Sequence, residues 1–159
     1  MSSIDHDTYQ FTLPVGWSIQ PSHTDDVTAY MLFTGEADRD AAPESLDAVG
    51  SISDFTYFVR EGQRPIDMYD LVETFETWAH QRKLKFDEPK ETSRPRDTID
   101  FEVIGQATGA DGRRHFVWLL GDKRTAVRVH FVLKELNSGT KTIMASLIGM
   151  VSSIRIQAR

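Results

Sequence analysis

"TIDFEVIGQATGADGRRHFVWLLGDKRTAVRVHFVLKEL" occupies residues 98–136. Two turn signals, "ADGR" and "LGDK", divide it into three runs rich in β-branched and aromatic residues, the pattern of a three-stranded antiparallel meander. Read as a two-residue type I′ turn, Asp111-Gly112 sets Ala110 against Arg113 and then pairs Ala107 with Phe116, Gly105 with Trp118 and Val103 with Leu120. Small residues meet large ones in that register. It predicts a packed face centred on Phe101, Val103, Phe116, Trp118 and Leu120, joined by Val127, Val129, Phe131 and Leu133 of the third strand. The opposite face is mixed, with Arg113, His115, Arg128 and His130 gathered toward one end and His115 opposed to either His130 or Arg128.

Upstream, "LKFDEPKETSRPRD" (84–97) carries two prolines and many charges and reads as a connection or an irregular edge strand. Before it, Met68, Leu71, Val72, Phe75, Trp78 and Ala79 recur at the spacing of one buried helical face, so a helix is predicted near 66–83, opened by Pro65. Phe75 and Trp78 are assigned to the core. Downstream, Ile143, Met144, Leu147, Ile148, Val151 and Ile154 form the apolar stripe of a last helix, capped by Ser138 or Thr140 and extended by "SIRIQAR".

Three strands are expected in the first third: 8–13, 27–35 and 52–62. Pro14 and Gly16 force a turn after the first, and Trp17 folds back over the end of the core. "EADRDAAPESLDAVGS" (36–51) reads as a long acidic surface loop. Its Asp38 and Asp40 lack the central glycine and closing glutamate of an EF-hand, which argues against calcium.

The 159 residues, 40% of them hydrophobic, suit a single domain spanning 1–159. With no cysteine, disulfides, thiolate zinc sites and a cysteine nucleophile are excluded. The start "MSSIDHDTYQ" has neither a basic segment nor an apolar run, which leads to the expectation of a cytoplasmic protein without a membrane span. The net charge of −6 divides unevenly: residues 1–80 hold fifteen acidic and three basic side chains, residues 81–159 nine acidic and fifteen basic. Overall acidity argues against nucleic acid as a partner.

The element order, with "LPVGW" early and "VSSIRI" late, resembles the PsbP and Mog-type superfamily. Leu13, Pro14, Gly16 and Trp17 match its Leu-Pro-x-Gly-Trp segment, and Val151, Ser153 and Ile154 its closing Val-x-Ser-Ile signature. The likeness implies an α+β fold, an α/β/α sandwich with a central antiparallel sheet, in which Trp17 seals the sheet's end beside the terminal helix. Relatives in that superfamily are mostly non-enzymatic and include photosystem subunits, a small-GTPase-binding factor and cytoplasmic chaperones dedicated to type VI secretion effectors.

Gly-x-Ser-x-Gly, Gly-x-Gly-x-x-Gly and phosphate-loop patterns are absent, so neither hydrolase chemistry nor nucleotide binding has its usual motif. Of five histidines (His6, His23, His80, His115 and His130), two fall in the basic constellation Arg113, His115, Arg128 and His130. Arginines are poor neighbours for a metal, so the cluster fits an anion or an acidic peptide better, while a solvated face or pairing with the acidic first half is the plain reading. The expectation is a non-catalytic protein-binding or chaperone-like domain, using this face or a groove beside the 36–47 loop, with no cofactor and with a secreted effector among the candidate partners. The alternative is a small-molecule-binding protein or weak enzyme with a pocket between sheet and helix and His115 as general base. A third reading is a domain that dimerises through an exposed sheet edge.

Overall fold

The structure, a computed structural model, describes residues 2–24, 27–55, 65–91 and 98–157. In chain order these form β1 (Ser2–Asp5), β2 (Tyr9–Leu13), β3 (Ser18–Thr24), β4 (Val27–Phe33), β5 (Ala48–Phe55), α1 (Met68–Gln81), β6 (Lys85–Phe86), β7 (Lys90–Glu91), β8 (Phe101–Thr108), β9 (Arg114–Gly121), β10 (Ala126–Leu133), α2 (Ser138–Ser152) and β11 (Arg155–Ile156). The main sheet runs β3-β4-β5-β10-β9-β8-β6, with β7 also on β8, and a second sheet runs β1-β2-β11. Every pairing among them is antiparallel. Helix α1 covers one face of the main sheet, and α2 with the small sheet covers the other. The expected α/β/α sandwich with a central antiparallel sheet is what the chain forms.

The face beneath α2 carries the larger core. Phe116, Trp118 and Leu120 of β9 and Val127, Val129, Phe131 and Leu133 of β10 meet Leu147, Met150 and Val151 of α2 there, together with Tyr9, Phe11 and Leu13 of β2. The turn "LPVGW" closes with the Trp17 amide donating to the Pro14 carbonyl at 3.2 Å, and Gly16 takes φ +83°, the left-handed value that a type II turn needs at its third residue. Trp17 then stacks on Phe131 with 5.4 Å between ring centroids, which explains a tryptophan placed directly after a turn.

The meander forms, but one residue out of the predicted register. Asp111 and Gly112 do not make a two-residue turn. Gly109 accepts from the Gly112 amide at 3.0 Å and donates to the Arg113 carbonyl at 3.0 Å, and Gly112 alone is left-handed at φ +81°. This is a three-residue loop with a glycine bulge. Thr108 therefore faces Arg114, Gly105 faces Val117 and Val103 faces Leu119. A one-residue slip moves every side chain of a strand to the other side. Val103, Gly105 and Ala107 accordingly lie under α1 with Val117 and Leu119, rather than with Phe116, Trp118 and Leu120. Gly105 pairs small with large across layers: a Cβ there would sit 2.4 Å from the Phe75 ring of α1.

Several boundaries also differ. Pro65 precedes α1, whose N-cap is Asp67: its carboxylate accepts from the Asp70 amide at 3.1 Å while the Asp70 carboxylate accepts from the Asp67 amide at 2.9 Å. Asn137, not Ser138 or Thr140, caps α2, accepting from the Gly139 and Thr140 amides at 2.9 and 3.2 Å. The chain end is not a helical extension, because Arg155–Ile156 pairs with β2. Polar "SIQPSHT" is strand β3, and β5 begins at Ala48 inside the expected loop; the rest of the 52–62 expectation lies outside the described residues. Asn137→Ala is expected to lower unfolding free energy by about 1 kcal/mol, read as a shift of the urea midpoint at unchanged m-value.

Candidate functional site

On the α1 side of the main sheet, strand alternation brings Arg128 and His130 of β10 to the same face as His115 of β9. His115 does not face His130 or Arg128 across the ladder. It faces Val132, and His130 faces Val117, so the two histidines are diagonal neighbours. At that spacing long side chains still meet. The Nδ1 of His115 and the Nε2 of His130 lie 2.9 Å apart in a hydrogen bond, the rings within 14° of parallel.

Trp78 roofs the pair, edge-on to His130 at 4.9 Å and to His115 at 5.9 Å, and carries the Arg82 guanidinium 5.4 Å from its own ring centroid. Trp78 thus touches the site as well as the core cluster beneath α1. The helical periodicity placed it on the correct face, but nothing in the sequence marked the histidines as its contacts.

Burial, then the positive neighbours His115, Arg128 and Arg82, push the His130 imidazole down to about 3. The His115 imidazole is also held below its ordinary value, chiefly by burial, with Asp111 opposing and Arg82 and Arg113 reinforcing the shift. Both rings are therefore neutral at pH 7. A neutral imidazole has one donor and one acceptor nitrogen, so one N–H of the pair is donated to the other ring. Among the described residues no cluster of three metal-ligating side chains forms, and no carboxylate hydrogen-bonds either histidine.

Arg113 leaves the cluster. It sits in the bulged loop, ion-pairs with Asp111 at 3.6 Å and donates to the backbone carbonyl of Glu44. Its ion pair is thus within the second half, and its contact with the 36–47 loop is to backbone rather than to an acidic side chain. The 36–47 loop folds as two short 3-10 turns, Ala37–Asp40 and Pro43–Ser45. Its Ala41 and Leu46 pack with Met31, Phe33 and Val49 on the α1 side of β4 and β5.

Between that loop and α1 runs a half-buried strip of sheet that includes Met31, Ser51, Ser53, Arg128 and His130. Ser53 is 1% exposed, and its hydroxyl makes no hydrogen bond. Ser53 and Arg128 are direct cross-strand neighbours. The remaining histidines lie elsewhere: His6 stacks on Tyr9 at 4.6 Å, His80 meets the Phe86 ring edge at 5.1 Å, and the His23 side chain is outside the described residues.

With this geometry in view, the chain is similar to the solution structure of the cyanobacterial PsbP protein CyanoP from Synechocystis sp. PCC 6803. The two superpose with a TM-score of 0.65 over 98% of this chain and 92% of that one, at 12% sequence identity. The fold is PsbP-like. LpqN of Mycobacterium tuberculosis, described as involved in cell envelope biogenesis, is a further structural neighbour, with a TM-score of 0.50 over 99% of this chain and 90% of that one, at 13% identity. No family model and no curated protein sequence matches the chain. At these identities the PsbP-like likeness is one of architecture, and the His115–His130 pair is described from this chain alone. None of the helices among the described residues is long and apolar enough to cross a membrane.

Proposed function

We propose that this chain is a non-catalytic protein-binding domain of the chaperone or adaptor kind, which holds a segment of a partner protein along the strip between α1 and the 36–47 loop. The observation that carries the reading is the half-buried strip itself, which sets Met31 beside the polar groups of Ser51, Arg128 and His130. Ser51, half-buried and facing both Met31 and His130 across the ladder, offers a hydroxyl that the backbone of a docked segment can reach. The histidines argue the same way. A general base is normally oriented by a third group, whereas His115 spends Nδ1 on an equally neutral ring.

The resemblance to the PsbP and Mog-type superfamily supports the finer form of this reading, in which the partner is a secreted effector and the domain its cytoplasmic chaperone. The test is affinity purification of the tagged chain from its native host. A stoichiometric partner recovered with the wild type, lost with Ser51→Arg in the strip and retained with Lys141→Glu on the exposed side of α2 is the expected result. Repeated recovery of no partner, or a partner indifferent to Ser51→Arg, overturns it.

A further inference from the structure

A second site lies at the corner of the main sheet formed by β6, β8 and β9, its charged row on the side of α2 and away from Ser51, Ser53 and Arg128 of the strip. Lys85 pairs with Thr108, and Thr108 pairs with Arg114. Residues directly opposite one another in antiparallel strands project to the same face, so the three side chains stand in one row across β6, β8 and β9. With strands about 4.8 Å apart, the two cations flank the threonine at a Cα separation of about 10 Å. One row inward, Gln106 faces Phe116, and Asp87 is held beside them by its amide bonding to the Gln106 carbonyl at 3.4 Å. These six residues, with Phe86, Ala107 and His115 from the intervening positions of the same strands, line a cleft of about 440 Å³ at the corner of the sheet.

The row's cations are unspent. Arg113 is tied to Asp111 and Glu44, and Arg82 lies over Trp78, yet neither Lys85 nor Arg114 forms an ion pair or side-chain hydrogen bond among the described residues. The chain holds 24 acidic side chains, and the one in the cleft, Asp87, bridges to neither cation. Thr108 and Gln106 add exposed donors that make no side-chain hydrogen bond. Phe116, 7% exposed, supplies an aromatic wall. Two cations about 10 Å apart with a hydroxyl between them match an oxyanion taken from both sides, and the aromatic wall matches an apolar body attached to it.

We propose that this cleft binds a small organic anion, a carboxylate or phosphate monoester carried on an apolar body. Lys85 and Arg114 clamp the oxygens, and Thr108 and Gln106 donate hydrogen bonds to them. Asp87 disfavours dense polyanions and leaves a single net positive charge in the cleft.

Titrations of benzoate, phenyl phosphate and inorganic phosphate into the whole chain at constant ionic strength, followed by amide chemical shifts, test this. Saturable shifts centred on Gln106 and Thr108 are expected with at least one of the two aromatic anions, more tightly than with inorganic phosphate. Which of the two binds better distinguishes the carboxylate source from the phosphate source. Lys85→Gln with Arg114→Gln, both at exposed positions that leave folding intact, is expected to weaken binding about tenfold or more, and Thr108→Val to weaken it severalfold. Lys141→Gln, a cation on α2, should change nothing. Absence of saturation with every probe, shifts spread away from the cleft, or equal losses in the double variant and Lys141→Gln would overturn the proposal.

Discussion

Phe131→Ala is expected to destabilise the domain by about 3–5 kcal/mol, the range for deleting a fully buried aromatic ring. Phe131 is 0% exposed, lies in the larger core cluster and carries Trp17 stacked on it. Its position depends on a glycine. A Cβ built on Gly50, its cross-strand neighbour, would fall 2.1 Å from the Phe131 ring and 2.7 Å from the His130 carbonyl oxygen. Gly50→Ala should therefore cost about 1–3 kcal/mol by overpacking, although alanine normally favours an extended strand over glycine. The two effects are coupled. With the ring deleted, two of the three nearest contacts of the added methyl group are gone, so the double variant should be more stable than the sum of the singles implies, by about 0.5–3 kcal/mol. Urea unfolding of the four proteins closes the cycle, and strict additivity would show that the ring does not rest on Gly50.

Phe131 and its neighbours also show what the sequence made legible. On β9 and β10 one parity is uniformly large and apolar (Phe116, Trp118, Leu120, Val127, Val129, Phe131 and Leu133), and that face was read correctly because only one side of each strand offers such a run. On β8 both parities hold apolar side chains: Phe101 and Val103 on one, Ile104 on the other. There the pattern is ambiguous, and the loop alone decided the face. Asp-Gly is a strong hairpin signal, but Gly109 rather than Ala110 pairs with Arg113, so Ala110 joins the loop, and that single residue exchanges the two sides of the strand. β3 and β11 are illegible in the sequence for another reason. "SIQPSHT" and "RI" have no local strand signature, and become strands through pairing with β4 and with β2 near the chain start. Of the basic constellation, the sequence pattern carries only part. The meander supplied the shared face of His115, Arg128 and His130, while the diagonal contact and the diversion of Arg113 to Glu44 depend on tertiary placement that no spacing rule encodes.

The diagonal histidines make the domain acid-sensitive from about pH 6.5 downward, beginning above the ordinary carboxylate range. In the unfolded chain each takes a proton near its ordinary value of about 6.5, whereas folded His130 resists protonation down to about 3. Between those limits the unfolded state binds more protons than the folded state, so stability rises with pH across the window and is lost as pH falls; above it, these groups contribute no slope. The limiting rate for one such group is about 1.4 kcal/mol per pH unit, or about 2 kcal/mol by pH 5. His115, lowered in the same direction, adds to the loss, and a charge on either ring opposes a charge on the other, so the two titrate as a pair. His130→Gln keeps a polar side chain beneath Trp78 but removes the titration. Its unfolding free energy should change less between pH 7 and 5 than that of the wild type, by about one proton's worth of slope. Equal slopes in the two proteins would mean that His130 is protonated in the folded chain above pH 5, and that the neutral, mutually bonded pair is not what fills the space under α1.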